Sequence, residues 1–370
     1  MNKILSFLFT ALLITSCGTK KDLRVDKHSF SEPHNVRTTH LDLDVKVDFE
    51  TELISGIANY TIENINGSKE LILDANGLRI DKVTSGGKDC AFKLTEKDSI
   101  LGQGLIIEIE KEAKQVAIHY QSTPNSKALQ WLNPKQTAGK KQPFLFTQSQ
   151  AILARTWLPC QDSPGVRFSY TAKVKVPSDL MAVMSAENPT EKNSEGIYSF
   201  KMEQAVPAYL MALGVGNLEF QNLGEQTGIY AEPEMIEKAA YEFAETEAML
   251  KIAEDMYGKY AWERYDMLLL PPSFPFGGME NPRLTFVTPT ILAGDRSLTA
   301  LIAHELAHSW SGNLVTNKTW DDFWLNEGFT VYFERRIMER MENKDYADML
   351  ALLGKQDLEN TVEDLGHTHK

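Results

Sequence analysis

Hydrophobic and polar residues alternate along the first part of the chain with the period of β-strands. Over residues 41–49 every second position is apolar, as a half-buried strand requires. Similar apolar stretches follow at residues 71–73, 105–109, 116–120, 168–176 and 180–185. Turn dipeptides separate them, including Asn66-Gly67, Asn76-Gly77 and Gly86-Gly87. The pattern predicts one antiparallel β domain over residues 30–220.

The period changes to that of helices after residue 228. Apolar residues at helical spacing over 234–260 predict one or two amphipathic helices. Two short strands are expected next at 267–270 and 284–288, with a loop rich in Pro and Gly between them. Further helices are predicted at 297–311, 321–341 and 346–365. Residues 221–370 therefore form a predicted α+β domain in which helices dominate.

Helix-start signals accompany two of these helices. Asp295 or Ser297 is placed to cap the helix over 297–311, and Gly312 is placed to end it. Thr319 and Asp322 have the spacing of a capping box at the start of the next helix.

The first residues carry a different pattern. Lys3 precedes an apolar run over residues 4–15, which is too short to span ~30 Å of hydrocarbon and ends in Ile14-Thr15-Ser16-Cys17. This ending resembles a bacterial lipobox, whose cysteine is acylated; an ordinary secretory signal containing a cysteine is the alternative. We predict a lipoprotein signal peptide over residues 1–16, lipidation at Cys17 and a tether over 17–29. An exported bacterial lipoprotein, anchored to the cell envelope membrane on its periplasmic or surface side, follows from this prediction.

Composition adds two exclusions. The 370 residues carry a formal net charge of −13 and no dense basic run, so nucleic acid is not a predicted partner. Beyond Cys17 only Cys90 and Cys160 remain, and two distant cysteines do not form a disulfide framework. Both are expected to be free, as small apolar side chains.

The strongest chemical signal is His304-Glu305-Leu306-Ala307-His308, which reads HExxH. On a helix, positions i and i+4 lie on one face, so both imidazoles can reach one metal ion. Two histidines alone could also be core residues, and short motifs occur by chance.

A glutamate beyond this motif makes the metal interpretation specific. Eighteen residues separate His308 from Glu327, which is enough for one helix to end and a second to pass beside it. Two histidines and one glutamate are the protein ligands of a catalytic zinc site, so one zinc ion per chain is predicted. Gly328 lies inside the second helix, and close packing beside the metal is the predicted reason for it.

Two further glutamates have predicted roles near this metal. Glu305 is the candidate general base, since zinc lowers the pKa of a bound water and a neighbouring carboxylate can take its proton. Glu334 lies seven residues after Glu327 and on the same helix face, where it could orient His304. A surface ion pair with Arg335 or Arg336 is the alternative for Glu334.

The residues from His304 to Glu334, with Gly312-Asn313-Leu314-Val315-Thr316 and Phe323-Trp324-Leu325-Asn326-Glu327-Gly328, resemble the zinc aminopeptidases of the gluzincin group. The resemblance is to the branch that contains leukotriene hydrolase and aminopeptidase B. It implies a multidomain α+β fold, with an N-terminal antiparallel, saddle-like β domain followed by a mainly helical, thermolysin-like zinc peptidase domain. It further implies peptide substrates with a free N-terminus.

The resemblance also implies which residues bind the substrate. Glu280 falls where the family anchors the α-amine of the peptide, and Gln148 and Gln150 fall where the first residue is contacted. Two segments carry this similarity, Thr147-Gln148-Ser149-Gln150-Ala151 and Pro275-Phe276-Gly277-Gly278-Met279-Glu280. Glycines there would let the backbone approach a bound peptide closely. The alternative for Glu280 is a solvated residue in a glycine-rich turn.

Two departures from the family are expected to matter. Phe276 occupies the position of a tyrosine in leukotriene hydrolase. The family's oxyanion-stabilising tyrosine lies some tens of residues beyond Glu327, and the sequence stops at Lys370 before it, so we predict a truncated catalytic domain.

The predicted function is hydrolysis of the first peptide bond by a metal-activated water, with Glu305 as general base. Three alternatives stay open. The chain could be an epoxide hydrolase of the leukotriene-hydrolase type, an endopeptidase that does not need Glu280, or an inactive, lipid-anchored peptide-binding fragment.

Overall fold

The N-terminal part is built from β-strands, as the alternating pattern predicts. The structure is a computed structural model that describes residues 26–366, so Cys17, the predicted signal segment and most of the predicted tether lie outside the described residues. The strands of this part are β1 (Val36–Asp48), β2 (Leu53–Asn64), β3 (Glu70–Ala75), β4 (Arg79–Ser85), β5 (Lys88–Asp89), β6 (Phe92–Leu94), β7 (Gln103–Glu108), β8 (Gln115–Gln121), β9 (Leu129–Leu132), β10 (Phe144–Thr147), β11 (Phe168–Lys175), β12 (Met181–Met184), β13 (Ile197–Val206) and β14 (Leu213–Gly216).

These strands form three sheets. Seven strands pair in the order β13-β11-β1-β2-β8-β4-β5, four in the order β12-β14-β10-β9 and three in the order β3-β7-β6. In β1, Leu41, Leu43, Val45 and Val47 are at most 3% exposed, so the alternating positions face the core as predicted.

The first sheet departs from the prediction at one pair of strands. β1 and β11 run parallel, whereas the other neighbours in this sheet are antiparallel. A parallel pair needs a long crossover connection, and the chain supplies one because most of the β domain lies between these two strands. The sheet is therefore mixed and not purely antiparallel.

The C-terminal part contains a five-stranded sheet and five helices. Its strands are β15 (Glu219–Asn222), β16 (Thr227–Ala231), β17 (Tyr265–Leu269), β18 (Gly278–Met279) and β19 (Thr285–Val287), in the order β15-β16-β17-β19-β18. Its helices are α1 (Ile236–Glu242), α2 (Thr246–Tyr257), α3 (Ala300–Ala307), α4 (Phe323–Met341) and α5 (Lys344–Leu365). Helix α3 contacts both β18 and α4, which brings the edge of the sheet and the second helix of the predicted metal site together. No helix within residues 26–366 is both long and apolar enough to cross a bilayer.

The helix-start predictions are wrong in detail. Helix α3 begins later than expected, with Thr299 at its N-cap and no side-chain cap hydrogen bond there. The segment 320–322 is a 3-10 turn, and Thr319 makes no side-chain cap hydrogen bond to it. Packing of the apolar side of each helix outweighs these local signals, as it does in most globular helices.

A buried ion cluster links strand β3 to the connection between β10 and β11. Arg155 lies 2.9 Å from a carboxylate oxygen of Asp162 and 3.6 Å from one of Asp74, and all three side chains are at most 1% exposed. Arg155 also donates to the backbone carbonyls of His28 and Leu101. Cys90 and Cys160 are both free, as predicted, and Cys160 is buried beside this cluster.

Candidate metal and peptide site

The site is built around α3, a short helix with one buried apolar side. Ile302 and Leu306 are at most 1% exposed, and burial of this side fixes the rotation of the helix. His304 lies inside α3, and His308 is its C-cap residue, still with helical backbone angles. The two side chains therefore keep the i, i+4 relationship and lie together, with their Nε2 atoms 3.1 Å apart.

Helix α4 adds a carboxylate to the two imidazoles. A carboxylate oxygen of Glu327 lies 3.6 Å from Nε2 of His304 and 3.9 Å from Nε2 of His308. Ligand atoms about 2.0–2.2 Å from a tetrahedral zinc ion are themselves separated by roughly 3.3–3.6 Å. The three predicted metal-binding side chains thus converge with the donor types and spacing that suit zinc.

Hydrogen bonds on the far side of each ring orient both imidazoles. Nδ1 of His304 lies 3.0 Å from a carboxylate oxygen of Glu334, as the seven-residue spacing predicts. Nδ1 of His308 lies 3.0 Å from Oδ1 of Asn326 and 3.1 Å from Oγ1 of Thr330. An Nδ1–H that donates to such partners leaves the Nε2 lone pair free for a metal.

Asn326 and Thr330 are functional neighbours that the sequence analysis missed. They lie four residues apart, and Glu334 continues the same row, so one stripe of α4 supports both histidines. The i, i+4 spacing of these polar residues was the available signal. Gly312 allows the contact, because a Cβ there would lie 2.4 Å from Oδ1 of Asn326 and its φ is +115°.

Glu305 lies on α3 between the two histidines and against the glycine-rich strand β18. It is 5% exposed, and a Cβ on Gly278 would lie 2.3 Å from its carboxylate, so a larger residue there would displace the Glu305 side chain. The close approach predicted for this glycine is therefore made to Glu305. Burial raises the pKa of Glu305 to about 8, although the neighbouring His304 opposes the shift.

Glu280 lies at the end of β18 and is buried. The alternative for this residue, a solvated position in a glycine-rich turn, is therefore wrong. Glu280 is 4% exposed, and its carboxylate accepts a hydrogen bond of 3.2 Å from Nε2 of Gln150. One ligand atom each from Glu280, Glu305 and His308 lie within 4.8 Å of one another, so this carboxylate borders the histidine pair. Burial raises the pKa of Glu280 to about 7.

The other predicted residues of the β-domain segment lie nearby. Nε2 of Gln148 lies 3.3 Å from the sulfur of Met279, and Gln148 is 9% exposed. Ser149 is buried, and its hydroxyl donates to the carbonyl of Met211 and accepts from the indole of Trp157. These internal contacts already use the Ser149 hydroxyl.

The remaining predicted positions lie on the exposed loop before β18. Pro275, Phe276 and Gly277 are exposed, and the Phe276 ring packs edge-to-face on buried Phe274. Phe276 is 51% exposed, so an apolar ring is presented to solvent beside the strand that carries Gly278. Gly328 does not have the role predicted for it, because no heavy atom lies within 4 Å of a Cβ placed there.

The electrostatics of the site favour a cation. Burial lowers the pKa of His304, but hydrogen bonds to Glu327 and Glu334 raise it to about 10 overall. Burial and the adjacent His304 lower the pKa of His308 to about 4. Burial opposes the charged form of Glu327, yet its pKa is lowered by the two imidazoles. A site with four carboxylates and two histidines is suited to a divalent cation, which is then its largest local charge.

Two sequence profiles of one family match the chain. The peptidase M1 N-terminal domain matches residues 37–210, and the peptidase family M1 domain matches residues 241–369. Every predicted metal-binding, catalytic and substrate-binding residue described above lies within one of these two regions.

Curated relatives match across most of the chain. Leukotriene A-4 hydrolase of Xenopus laevis is 48% identical over 93% of this chain and 58% of the relative. Leucine aminopeptidase 2 of Yarrowia lipolytica is 42% identical over 93% of this chain and 54% of the relative. The chain therefore spans about half the length of these relatives.

Solved structures agree with the observed fold. Yeast leukotriene A4 hydrolase in complex with bestatin superposes with a TM-score of 0.89 at 38% identity, covering 93% of this chain and 55% of that one. The M1 zinc metallopeptidase of Deinococcus radiodurans bound to a Tyr-Ser-Ala substrate has a TM-score of 0.71 at 25% identity, covering 88% and 76%. The β domain followed by a helical peptidase domain is thereby confirmed.

The predicted localisation is wrong. The curated relatives that match over most of this chain, a leukotriene A-4 hydrolase and leucine aminopeptidases 2, contradict an exported lipoprotein anchored to the cell envelope. The prediction depended on a short apolar run before Cys17, and a pattern of that length carries little information compared with a match over most of the chain.

The family accounts for the chemistry of the converging side chains. Its members include proteins described as zinc metallopeptidases, which indicates zinc as the metal. Since both profiles match in chain order and the second contains the converging histidines and glutamates, this chain belongs to peptidase family M1, in its leukotriene A4 hydrolase-like branch.

Proposed function

We propose that this chain is a zinc aminopeptidase that releases the N-terminal residue of peptides. The observation that carries the proposal is the position of buried Glu280, within 4.8 Å of both Glu305 and His308. The carboxylate that would bind a substrate amine thus lies about the length of one amino acid from the metal-binding histidine pair. Relatives named leucine aminopeptidase 2 support the same reaction class.

The metal site is proposed to hold one zinc ion per chain on His304, His308 and Glu327. A second possible donor group, Glu280 with Glu305 and His308, shares His308 with the first. Because Nδ1 of His308 is bonded to Asn326, only the Nε2 lone pair of this ring can ligate a metal, and it binds one ion at a time, which supports a single zinc. When bound, zinc supplies Lewis acidity, lowering the pKa of a water and polarising a carbonyl.

Glu305 is proposed as the general base. Its carboxylate lies against Gly278 of the edge strand and between the two histidines in sequence, which puts it beside any water or carbonyl group that occupies the site. It would accept a proton from the attacking water and deliver it to the leaving amine. Burial of Glu305 excludes bulk water that would compete for this proton.

Glu280 is proposed to bind the α-ammonium group of the substrate, with Gln150 holding the carboxylate. In an N-terminal residue the amine nitrogen is about 2.5 Å from its own carbonyl carbon, because only Cα lies between them. The next carbonyl along the peptide is several ångströms further away. An amine held at Glu280 therefore leaves only the first peptide bond within reach of Glu305 and the metal ligands.

The rest of the peptide is proposed to lie along β18. This strand is at the edge of its sheet, so one side of its backbone is available for pairing with an extended peptide. Gln148, Met279, Pro275, Phe276, Gly277 and Gly278 line this edge, and Ser149 acts by holding the segment in place. Phe276 presents an exposed ring that suits an apolar side chain of the substrate.

The proposal is tested by zinc content and by hydrolysis of aminoacyl anilides, for the native chain and for Glu305→Gln. We expect one zinc per chain in both proteins and turnover only in the native chain. N-acetylated anilides should not be cleaved, since they lack the ammonium that Glu280 binds. Zinc binding with equal cleavage of free and acetylated substrates would contradict an aminopeptidase and favour an endopeptidase.

Epoxide hydrolysis is the second candidate function. It is supported by the 48% identity to leukotriene A-4 hydrolase of Xenopus laevis. Leukotriene A4 itself is the direct probe, with the diol product measured by chromatography. Product formation that is lost in Glu327→Gln would support this activity beside the peptidase reaction, and its absence with intact peptidase turnover would exclude it.

A further inference from the structure

We propose that Asn313 is a positioning residue that sets the distance between the metal ligand His308 and the amine anchor Glu280. The proposal rests on the aminopeptidase function proposed above. Asn313 lies in the loop after α3 and is 1% exposed.

Asn313 bonds to both parts of the site at once. Its backbone N–H donates to the carbonyl of His308 at 3.0 Å, and its side-chain Nδ2 donates to the carbonyl of Glu280 at 2.7 Å. A single buried residue thus connects the end of the metal-binding helix to the end of strand β18. Such a buried amide is held rigidly, because breaking either hydrogen bond would leave a buried polar group without a partner, which costs free energy.

The hydrogen bond from Asn313 holds a residue that strand pairing does not hold. The strand pairs with β19 through Gly278 and Met279, and Glu280 follows directly after the last paired residue. Gln150 holds the carboxylate of Glu280, whereas Asn313 holds its main chain. Without Asn313 the carboxylate could move relative to the histidines, and a shift of about 1 Å is enough to disturb a reacting geometry.

Asn313 is itself fixed by the β domain. Nη2 of Arg167 donates to the carbonyl of Asn313 at 2.7 Å, and Nη1 donates to Oγ1 of Thr316 at 2.6 Å. Nε of Arg167 donates to the carbonyl of Ala205. Arg167 directly precedes β11, so the large mixed sheet supports the loop that separates metal and anchor.

The test compares the affinities of Tyr-Ser-Ala and N-acetyl-Tyr-Ser-Ala, measured by calorimetry on the zinc-loaded chain carrying Glu305→Gln to prevent turnover. In Asn313→Ala and Asn313→Asp we expect the preference for the free amine to fall about tenfold or more. The preference should fall because the peptide with a free amine binds more weakly, while zinc content and the affinity for the acetylated peptide stay the same. Arg167→Met should weaken the preference in the same direction and non-additively with Asn313→Ala.

Asn317→Ala is the matched control, since Asn317 is a buried asparagine of the same loop whose Nδ2, within residues 26–366, donates to the carbonyl of Thr319 and not to Glu280. It should lower the thermal midpoint without changing the preference for the free amine. An unchanged preference in Asn313→Asp and Arg167→Met would overturn the role of Asn313 while leaving the aminopeptidase proposal intact. If the Glu305→Gln chain with Asn313 intact binds both peptides equally, both proposals are overturned.

Discussion

The Nε2 atoms of His304 and His308 lie 3.1 Å apart. Two protonated Nε2 atoms at that distance would repel each other, so these two atoms can carry at most one proton between them. The opposite shifts of their pKa values, to about 10 for His304 and about 4 for His308, express this competition. A metal ion relieves it by accepting both lone pairs and by neutralising the carboxylate of Glu327.

Zinc should therefore stabilise the fold, and Glu327→Gln should weaken that effect. At a free zinc concentration about one hundred times Kd, binding to the native state alone adds about 2.7 kcal/mol to the free energy of unfolding. Chelator competition and thermal unfolding with and without zinc measure both quantities. Glu339→Gln, which changes a carboxylate of the same helix paired with Arg336, is the control and should not alter zinc affinity.

Thr330→Val should lower zinc affinity by about 10–100-fold, the usual effect of removing a partner behind a histidine ligand. The hydroxyl of Thr330 lies 3.1 Å from Nδ1 of His308 and donates to the carbonyl of Ser311 at 2.9 Å, and valine keeps the shape without either bond. Thr330→Ser should restore most of the affinity. Equal zinc affinity in all three proteins would show that the contacts of Nδ1 with Asn326 and with the carbonyl of Ser311 are enough to orient the ring.

The core positions of the fold could be predicted from the sequence, but strand neighbours could not. Alternation in β1 shows which side chains are buried, because the side-chain period of a strand is two residues. It carries no information about which strand lies beside β1, and the parallel pairing with β11 was missed for that reason.

In the site, too, positions within one helix could be predicted from the sequence, but contacts between elements could not. The spacing of His304 and His308 predicts their convergence, since a helix brings i and i+4 together. The support from Asn326 and Thr330 was missed, because polar residues on a helix usually face solvent. Whether a glycine is needed for close approach depends on the opposite element, which a single sequence does not reveal.

Two glycines give a matched test of that last statement. A Cβ on Gly278 would lie 2.3 Å from the carboxylate of Glu305, whereas a Cβ on Gly328 would meet no heavy atom within 4 Å. Gly278→Ala should displace Glu305 and lower turnover at least tenfold without loss of zinc. Gly328→Ala should retain zinc and raise the free energy of unfolding by about 0.5–1 kcal/mol, because alanine favours the helix.

Urea unfolding and anilide hydrolysis separate these effects. Full activity in Gly278→Ala would contradict the requirement for a close approach between Gly278 and the carboxylate of Glu305. Destabilisation of Gly328→Ala would mean that this part of α4 depends on glycine for a reason other than space.

The buried cluster of Asp162, Asp74 and Arg155 should make stability depend on pH. Burial raises the pKa of Asp162 to about 6 and also raises that of Asp74, although Arg155 opposes both shifts. A carboxyl group with a higher pKa in the folded than in the unfolded state binds protons more tightly when folded. Its contribution to stability is therefore present below pH 4 and is lost as the pH rises to about 6.

For Asp162 the change is up to about 3 kcal/mol, from two pKa units at about 1.4 kcal/mol each. Asp162→Asn should remove this part of the slope of the free energy of unfolding between pH 4 and pH 6, measured by urea titration of the zinc-loaded chain. Asp81→Asn, at an exposed carboxylate paired with Arg79, should leave the slope unchanged. If Asp162→Asn keeps the native slope, then Asp162 stays ionised throughout this range, and Arg155 outweighs the effect of burial.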